Sequence, residues 1–329
     1  MNMTKTITAL IVCVAGLVSC NNSSKEQTLT GNDTSIEVPE FCEDSAYAYI
    51  EAQCAFGPRI MNSEAHEKCA DYLARKFESF GAEVTEQYTD LKLYDGTKVK
   101  ARNIIATYNG ISGARILLCA HWDSRPWADD DPNPDNHHTP IDGANDGASG
   151  VGVLLEIARQ IQMNNLEIGI DLICFDAEDS GLPQWAEDGG DSEHTWCLGS
   201  QHWAQNPHIP RYRARYGILL DMVGGNNTWF RKEGFSMYYA PSVVDKVWSA
   251  AQRLGYSNYF VNEEGGYITD DHLPLNRAAI PCINIIGSDV QDGGFCSTWH
   301  TVNDNLKNIN KQTLKAVGQT VLEVIYNEK

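Results

Sequence analysis

The sequence predicts an α/β protein: a single domain with a mostly parallel, twisted central sheet and helices on both faces. Three observations lead to this fold class. Apolar runs typical of buried strands alternate with runs of helical periodicity. No internal repeat and no Pro/Gly-rich linker divides residues 39–329, which therefore form one domain. Polar residues recur where predicted strands end, which is where open α/β sheets bind ligands.

The first twenty residues are predicted to be a signal peptide. Lys5 supplies a positive charge, and the apolar run 7–18 is too short to cross a bilayer. The run closes with Leu-Val-Ser-Cys at residues 17–20, which resembles the bacterial lipoprotein box and implies lipidation of Cys20. A plain secretory signal is the alternative. Residues 21–38, rich in Asn, Ser and Thr, are predicted to be a flexible tether to the folded domain 39–329.

The elements of the domain follow from periodicity and length. Helical patterns are predicted at 45–54, 66–80, 148–162, 199–205, 242–254 and 312–326. Strand patterns are predicted at 101–108, 114–121, 168–176, 216–223 and 279–286. Alternation of the two patterns favours a parallel sheet covered on both faces.

Net charge limits the possible binding partners, and the cysteines limit the possible disulfides and metal sites. The formal charge of −19 disfavours nucleic acid and anionic membrane surfaces, which would repel the chain. Export would allow disulfides, but the pairing of cysteines cannot be read from sequence. Cys119, Cys174 and Cys282 lie inside apolar runs and are expected to be buried free thiols. The chain contains no Cys-x-x-Cys motif, so a cysteine zinc site is not expected.

The candidate chemistry lies in five short segments. His121 and Asp123 follow one predicted strand, Asp176 to Asp179 follow another, and Asp221 ends a third. Asp146 precedes a predicted helix, and His300 lies near the C-terminus. Taken singly, each residue could be a helix cap or a solvated charge. Gathered at one sheet edge, the carboxylates would repel one another without a cation, and zinc accepts nitrogen and oxygen donors of this kind.

Spaced in this way, the motifs resemble the zinc aminopeptidase-like clan, and within it the glutaminyl-peptide cyclotransferases of animal type. The resemblance covers most of the chain from about residue 45 onward. It implies one zinc ion held by Asp146, Asp179 and His300 in a cyclase. In a two-zinc aminopeptidase, His121 and Asp221 would hold a second ion. The ligand set alone therefore leaves both activities open.

Further matches favour the cyclase. Asp270 in Thr-Asp-Asp-His-Leu-Pro matches a cyclase residue that shares a hydrogen bond with the residue at Asp221. Trp299 and Trp185 resemble the two tryptophans of the cyclase pocket. Asn284 stands where the animal enzymes have an active-site histidine, and is expected to contact substrate.

Two more features depart from the animal pattern. Asp179 stands where the cyclases usually have glutamate, and the loop before the final histidine is longer at Gly-Gly-Phe-Cys, residues 293–296. Both put the fine geometry of the site in question without removing a ligand or the base. Asp179 is one methylene shorter than glutamate, but it can still reach a metal.

The resemblance implies conversion of N-terminal glutamine of peptides or exported proteins to pyroglutamate, with release of ammonia. Glu178 would move the proton, while Asp221 and Asp270 would hold the departing amide nitrogen. The alternatives are a two-zinc aminopeptidase and a non-catalytic binding protein with a degenerate site. No G-x-S-x-G motif is present, which disfavours serine hydrolases. Members of the family tend to be monomers, so the resemblance implies a monomer.

Overall fold

An eight-stranded mixed sheet forms the centre of the protein. The computed structural model describes residues 37–187 and 192–328. Across the sheet the strands lie in the order β1-β2-β4-β3-β5-β8-β6-β7. The strands are β1 (Glu83–Lys92), β2 (Lys98–Tyr108), β3 (Arg115–His121), β4 (Gly169–Phe175), β5 (Gly217–Asp221), β6 (Thr228–Lys232), β7 (Phe260–Glu264) and β8 (Cys282–Asp289).

The centre of the sheet is parallel and its flanks contain the antiparallel pairs. Strands β4, β3, β5 and β8 run parallel to one another. Strand β2 is antiparallel to β1 and to β4, and β6 is antiparallel to β8. The predicted fold class is confirmed, and the carboxyl ends of the four central strands meet at one edge.

Helices cover both faces of the sheet, as the sequence predicts. Helices α1, α3 and α8 pack together, with α3 against β3, whereas α4 and α7 pack together, with α7 against β5 and β8. The helices are α1 (Glu43–Cys54), α2 (Glu64–Ser79), α3 (Ala148–Met163), α4 (Leu198–Gln205), α5 (Gly234–Tyr239), α6 (Pro241–Arg253), α7 (His272–Arg277) and α8 (Lys311–Tyr326).

Strand β3 shows how the sequence builds two cores. Ile116 and Leu118 join a large apolar cluster on the face of α1, α3 and α8. The residues between and after them, Leu117 and Cys119, join a smaller cluster with residues of α4 and α7. Successive side chains of a strand point to opposite faces, so a strand covered on both sides must be apolar throughout.

The start of α3 lies close against the sheet because two positions carry no side chain. Gly147 has φ +95°, and a Cβ there would lie 2.5 Å from the Asp123 carbonyl oxygen. At Gly150 a Cβ would lie 2.2 Å from the Leu220 carbonyl oxygen. Glycine alone allows this approach, which brings the segment before α3 to the carboxyl edge of β3 and β5.

The predicted signal peptide, Cys20 and nearly all of the predicted tether lie outside the described residues. Within residues 37–187 and 192–328, no helix is both long and apolar enough to cross a membrane. All eight cysteines of this part of the chain are free, including the three expected to be buried thiols.

Candidate active site

Four elements deliver the candidate residues to the carboxyl edge of the parallel strands. His121 is the last residue of β3, and Asp221 is the last residue of β5. Glu178 and Asp179 lie in the loop after β4, and Asp146 lies in the turn before α3. All of these side chains are buried although all are ionisable. Buried charges of this density need mutual pairing or a cation.

Asp146, Asp179 and His300 form the first candidate metal centre. One ligand atom of each lies within 4.8 Å of the others. His300 Nε2 lies 3.1 Å from Asp179 Oδ1 and 3.6 Å from Asp146 Oδ2. Asp179 Oδ2 is buried, and no group of the described residues donates a hydrogen bond to it. An orphaned carboxylate oxygen beside two further donors is suited to a metal ion.

Outer carboxylates hold the backbone that carries these ligands. The two oxygens of Asp123 accept the N–H groups of Glu178 and Asp179, each at 3.1 Å. The two oxygens of Asp304 accept the N–H groups of Asn145 and Asp146, at 2.7 and 3.0 Å. Such outer contacts fix the orientation of first ligands before any ion arrives.

His300 is oriented by a second network. Its Nδ1 lies 3.4 Å from Asp129 Oδ1, and Asp129 in turn pairs with Arg125 at 2.5 Å. The Arg125 guanidinium also donates to the Asp179 backbone carbonyl at 2.9 Å. Burial alone would lower the pKa of His300, but Asp179 and Asp129 raise it to about 9. The imidazole is thus surrounded by negative charge, which a bound cation would balance.

His121, Asp146 and Asp221 form a second candidate cluster within 4.8 Å. His121 Nε2 lies 3.0 Å from Asp146 Oδ1 and 3.3 Å from Asp221 Oδ1. Burial opposes a charge on His121, but contacts with Asp123, Asp146 and Asp221 raise its pKa well above the usual value. Asp146 is common to both clusters, so the geometry could hold one ion or two.

A cavity of about 460 Å³ opens beside the first cluster. Glu178, Asp221 and Asp270 line it together with the three candidate ligands. Burial raises the pKa of Glu178 well above its usual value, opposed by His121 and reinforced by Asp270. Burial also raises the pKa of Asp221 to about 6. The predicted hydrogen bond between Asp221 and Asp270 stays a prediction.

Asp270 is held from two sides. Its Oδ1 accepts the Asp271 N–H at 2.6 Å, and its Oδ2 accepts an N–H of Asn284 at 2.6 Å. Burial, followed by the charge of Asp221, raises the pKa of Asp270 to about 7. The predicted role of Asn284 as a substrate contact is not what the structure shows. Asn284 is fully buried in β8 and does not line the cavity, so it acts on Asp270 instead.

Two tryptophans flank His300. The Trp299 ring stacks on His300 with centroids 3.7 Å apart, and Phe295 stacks on Trp299 at 4.4 Å. The Trp196 ring lies parallel to His300 with centroids 6.1 Å apart. All three aromatic residues line the cavity.

Trp185 does not take the predicted place in the pocket. Its side chain is 43% exposed and packs against Trp127 and His138 instead of lining the cavity. The second tryptophan that lines the cavity is Trp196. The only sequence signal for Trp196 is an aromatic residue just before the predicted helix at 199–205.

The site contains several residues with left-handed backbone. Ala177, Cys197, Met222 and His300 have φ values of 54°, 56°, 48° and 51°. Such conformations are costly for residues with a Cβ and persist where the surroundings determine them. Cys197 also donates a hydrogen bond to Glu178 Oε1 at 3.2 Å. No sequence pattern predicts this contact, because residue 178 follows β4 whereas residue 197 directly precedes α4.

The sheet and the buried His/Asp clusters define an α/β protein with the zinc aminopeptidase-like fold. The chain belongs to peptidase family M28, whose sequence pattern matches residues 103–325. A glutaminyl cyclase of Bacteroides thetaiotaomicron, solved with N-acetylhistamine, is 58% identical with a TM-score of 0.87. That similarity covers 89% of this chain and 100% of the other.

More distant relatives carry both activities that the motifs leave open. Aminopeptidase YwaD of Bacillus subtilis is 27% identical over 75% of this chain. A glutaminyl-peptide cyclotransferase of Gloydius blomhoffii is 26% identical over 69% of this chain. The matches span 49% of the aminopeptidase and 65% of the cyclotransferase.

Proposed function

We propose that this protein is a zinc-dependent glutaminyl-peptide cyclotransferase that converts N-terminal glutamine of peptides or proteins to pyroglutamate and ammonia. The observation that carries the proposal is the pair Glu178 and Asp270, which face one aromatic-walled cavity. Their carboxyl oxygens belong to one cluster within 4.8 Å. Cyclisation needs a group that takes a proton from the amine and a group that holds the departing nitrogen, and this pair offers both.

The donor set suits zinc. Two carboxylates and one imidazole from Asp146, Asp179 and His300 are ordinary zinc ligands, and Asp179 Oδ2 has no other partner among the described residues. When bound, zinc would supply Lewis acidity toward the side-chain amide of the substrate. The shorter Asp179, in place of the usual glutamate, is compatible with this role because Asp123 and Arg125 fix its backbone.

The chain's own residues would carry the proton and the positioning. Glu178 takes a proton from the α-amino group as its nitrogen attacks the amide carbon, and returns a proton to the nitrogen that leaves as ammonia. Asp221 and Asp270 hold the departing nitrogen, one of them neutral, since close carboxyl groups favour a shared proton. Trp196 and Trp299 line the cavity and give it apolar walls. Because the attack is intramolecular, correct placement supplies much of the rate.

A two-zinc aminopeptidase is the second candidate function. One specific observation favours it: His121, Asp146 and Asp221 also lie within 4.8 Å of one another. In that case Glu178 would activate a water molecule. The same acidic cavity would then accept the amino terminus of a peptide of any sequence.

One experiment separates the two functions. The purified protein is loaded with zinc and incubated with a Gln-initiated dipeptide, and ammonia and free amino acids are both measured. The cyclase proposal expects ammonia and a pyroglutamyl dipeptide, with one tightly held zinc per chain. Release of free amino acids together with two tightly held zinc ions would overturn it.

The location and partners of the enzyme remain proposals from the sequence. We propose a bacterial lipoprotein anchored through Cys20, which faces the periplasm or the cell surface and acts as a monomer on exported peptides or proteins. The lipoprotein-like segment at residues 17–20 supports the anchor. Metabolic labelling with a radioactive fatty acid should mark the wild-type chain and not Cys20→Ala. Equal labelling of both would refute the anchor.

A further inference from the structure

Cys197 contacts Glu178 through both its side chain and its backbone. The thiol donates a hydrogen bond to Glu178 Oε1 at 3.2 Å, and the Cys197 N–H donates to the Glu178 carbonyl at 3.1 Å. The side chain is buried, with 1% of its surface exposed. Among the hydrogen bonds of residues 37–187 and 192–328, this thiol is the single donor to the Glu178 carboxyl group.

The backbone around Cys197 is docked on the loop that carries Glu178. Besides the Cys197 contact, Leu198 N–H donates to the Ala177 carbonyl at 3.1 Å, and Gly199 N–H donates to the Asp176 carbonyl at 3.0 Å. Cys197 is left-handed, with φ +56°. Three successive hydrogen bonds hold this costly conformation and aim the thiol at the carboxyl group.

The chemistry of the thiol suits a donor and not a nucleophile. Burial and the charge of Glu178 raise the pKa of Cys197 well above its usual value, so the sulfur keeps its proton. Cys197 is a free cysteine with no disulfide partner. It lines a separate cavity of about 380 Å³ and not the one that Glu178 lines, so it does not meet the substrate.

Glu178 needs such a donor because its surroundings are acidic. Asp270 belongs to the same cluster within 4.8 Å, and Asp179 is the next residue. Repulsion from these groups favours rotation of the Glu178 side chain away from the position in which it meets the substrate amine. A fixed hydrogen bond to one oxygen opposes that rotation and leaves the second oxygen for the proton.

We propose that Cys197 is a positioning residue that holds the Glu178 carboxyl group in the rotamer required for proton transfer. The inference rests on the proposed cyclase function. It assigns to the thiol an effect on the chemical step and none on substrate binding or zinc affinity.

The test compares Cys197→Ala, Cys197→Ser and wild type in steady-state cyclisation of a Gln-initiated dipeptide. The alanine variant lacks the donor and is expected to lose about tenfold in kcat, with KM and bound zinc unchanged. The serine variant restores an O–H donor at the same left-handed position and should recover most of kcat. Cys69→Ala, which removes an equally buried thiol from α2, is the matched control and should keep wild-type kcat.

A double-mutant cycle adds a readout that a general loss of packing would not give. Glu178→Asp withdraws the carboxyl group from the thiol, so adding Cys197→Ala should then cost little further kcat. An alanine variant within about twofold of wild-type kcat, or a serine variant as slow as alanine, would overturn the proposal. A wild-type protein that releases no ammonia would instead overturn the cyclase function, so the two failures are distinguishable.

Discussion

Replacing Glu178 by glutamine separates the proton-transfer group from the metal ligands beside it. The substitution keeps the shape of the side chain and an oxygen that can accept the Cys197 hydrogen bond. Asp123 still accepts the N–H groups of residues 178 and 179, so the loop stays in place. Asp146, Asp179 and His300 keep their ligand atoms. We therefore expect zinc to stay bound while turnover is lost.

The expected loss of turnover follows from the role of Glu178 in proton transfer. Positioned proton transfer contributes about 10²- to 10⁴-fold in rate, or about 3 to 5 kcal/mol of transition-state stabilisation.

The same substitution lowers turnover but is expected to raise the folding stability of the metal-free protein. Burial raises the pKa of Glu178, so its charged form is disfavoured in the folded state and its stability contribution falls as pH rises above the unfolded value. At neutral pH the metal-free glutamine variant should melt at a higher temperature than the metal-free wild type.

Three measurements check this prediction: ammonia release, zinc content by mass spectrometry, and thermal melting of the metal-free protein. Glu263→Gln, at an exposed position in β7, is the matched control and should leave all three unchanged. Loss of zinc from the Glu178 variant would mean that Glu178 is a ligand. Turnover within about tenfold of wild type would refute its role in proton transfer.

Further predictions concern the second cluster, the tryptophans, the metal and acid stability. His121→Ala should lower kcat/KM by less than about tenfold in a one-zinc cyclase, and far more in a two-zinc peptidase. Trp196→Ala should raise KM by about tenfold because the cavity loses a wall, whereas Trp185→Ala should leave KM unchanged in the same assay. A chelator should abolish ammonia release, and added zinc should restore it; activity that survives complete zinc removal would refute zinc dependence. Acid stability depends on Glu233. Burial alone would raise the pKa of Glu233, but a hydrogen bond from His272 lowers it from 4.5 to about 2. Glu233 should therefore contribute about 3 kcal/mol above pH 4.5 that is lost as pH falls toward 2, a loss that urea unfolding should detect in wild type and not in Glu233→Gln.

The predicted strands were those that are buried on both faces. β3 and β4 are buried at every position, which makes them continuous apolar runs in the sequence. Three strands, β1, β6 and β7, were missed. β1 alternates between exposed and half-buried residues at the edge of the sheet, and β7 carries mostly exposed polar residues at the other edge. Their pairing depends on neighbouring strands, so local composition carries little signal for them.

Three of the candidate ligands were accessible from sequence because each lies at the end of an element with a strong pattern or directly before one. His121 and Asp221 close apolar strands, and Asp146 precedes a helix with glycines at Gly147 and Gly150. The tryptophan assignment failed for the opposite reason. The loop between Glu178 and α4 has no periodicity, so the sequence could not tell which of its tryptophans turns inward.

The sequence by itself determined the α/β class and the set of His and Asp residues at the carboxyl edge, because strand burial and strand ends are local patterns. The tertiary structure alone decided which side chains of the site contact one another. It places Asn284 behind Asp270, Trp196 beside His300 and the Cys197 thiol on Glu178. These contacts join residues from different elements, and their geometry depends on how the loops fold back over the sheet. Residue spacing along the chain does not encode that path.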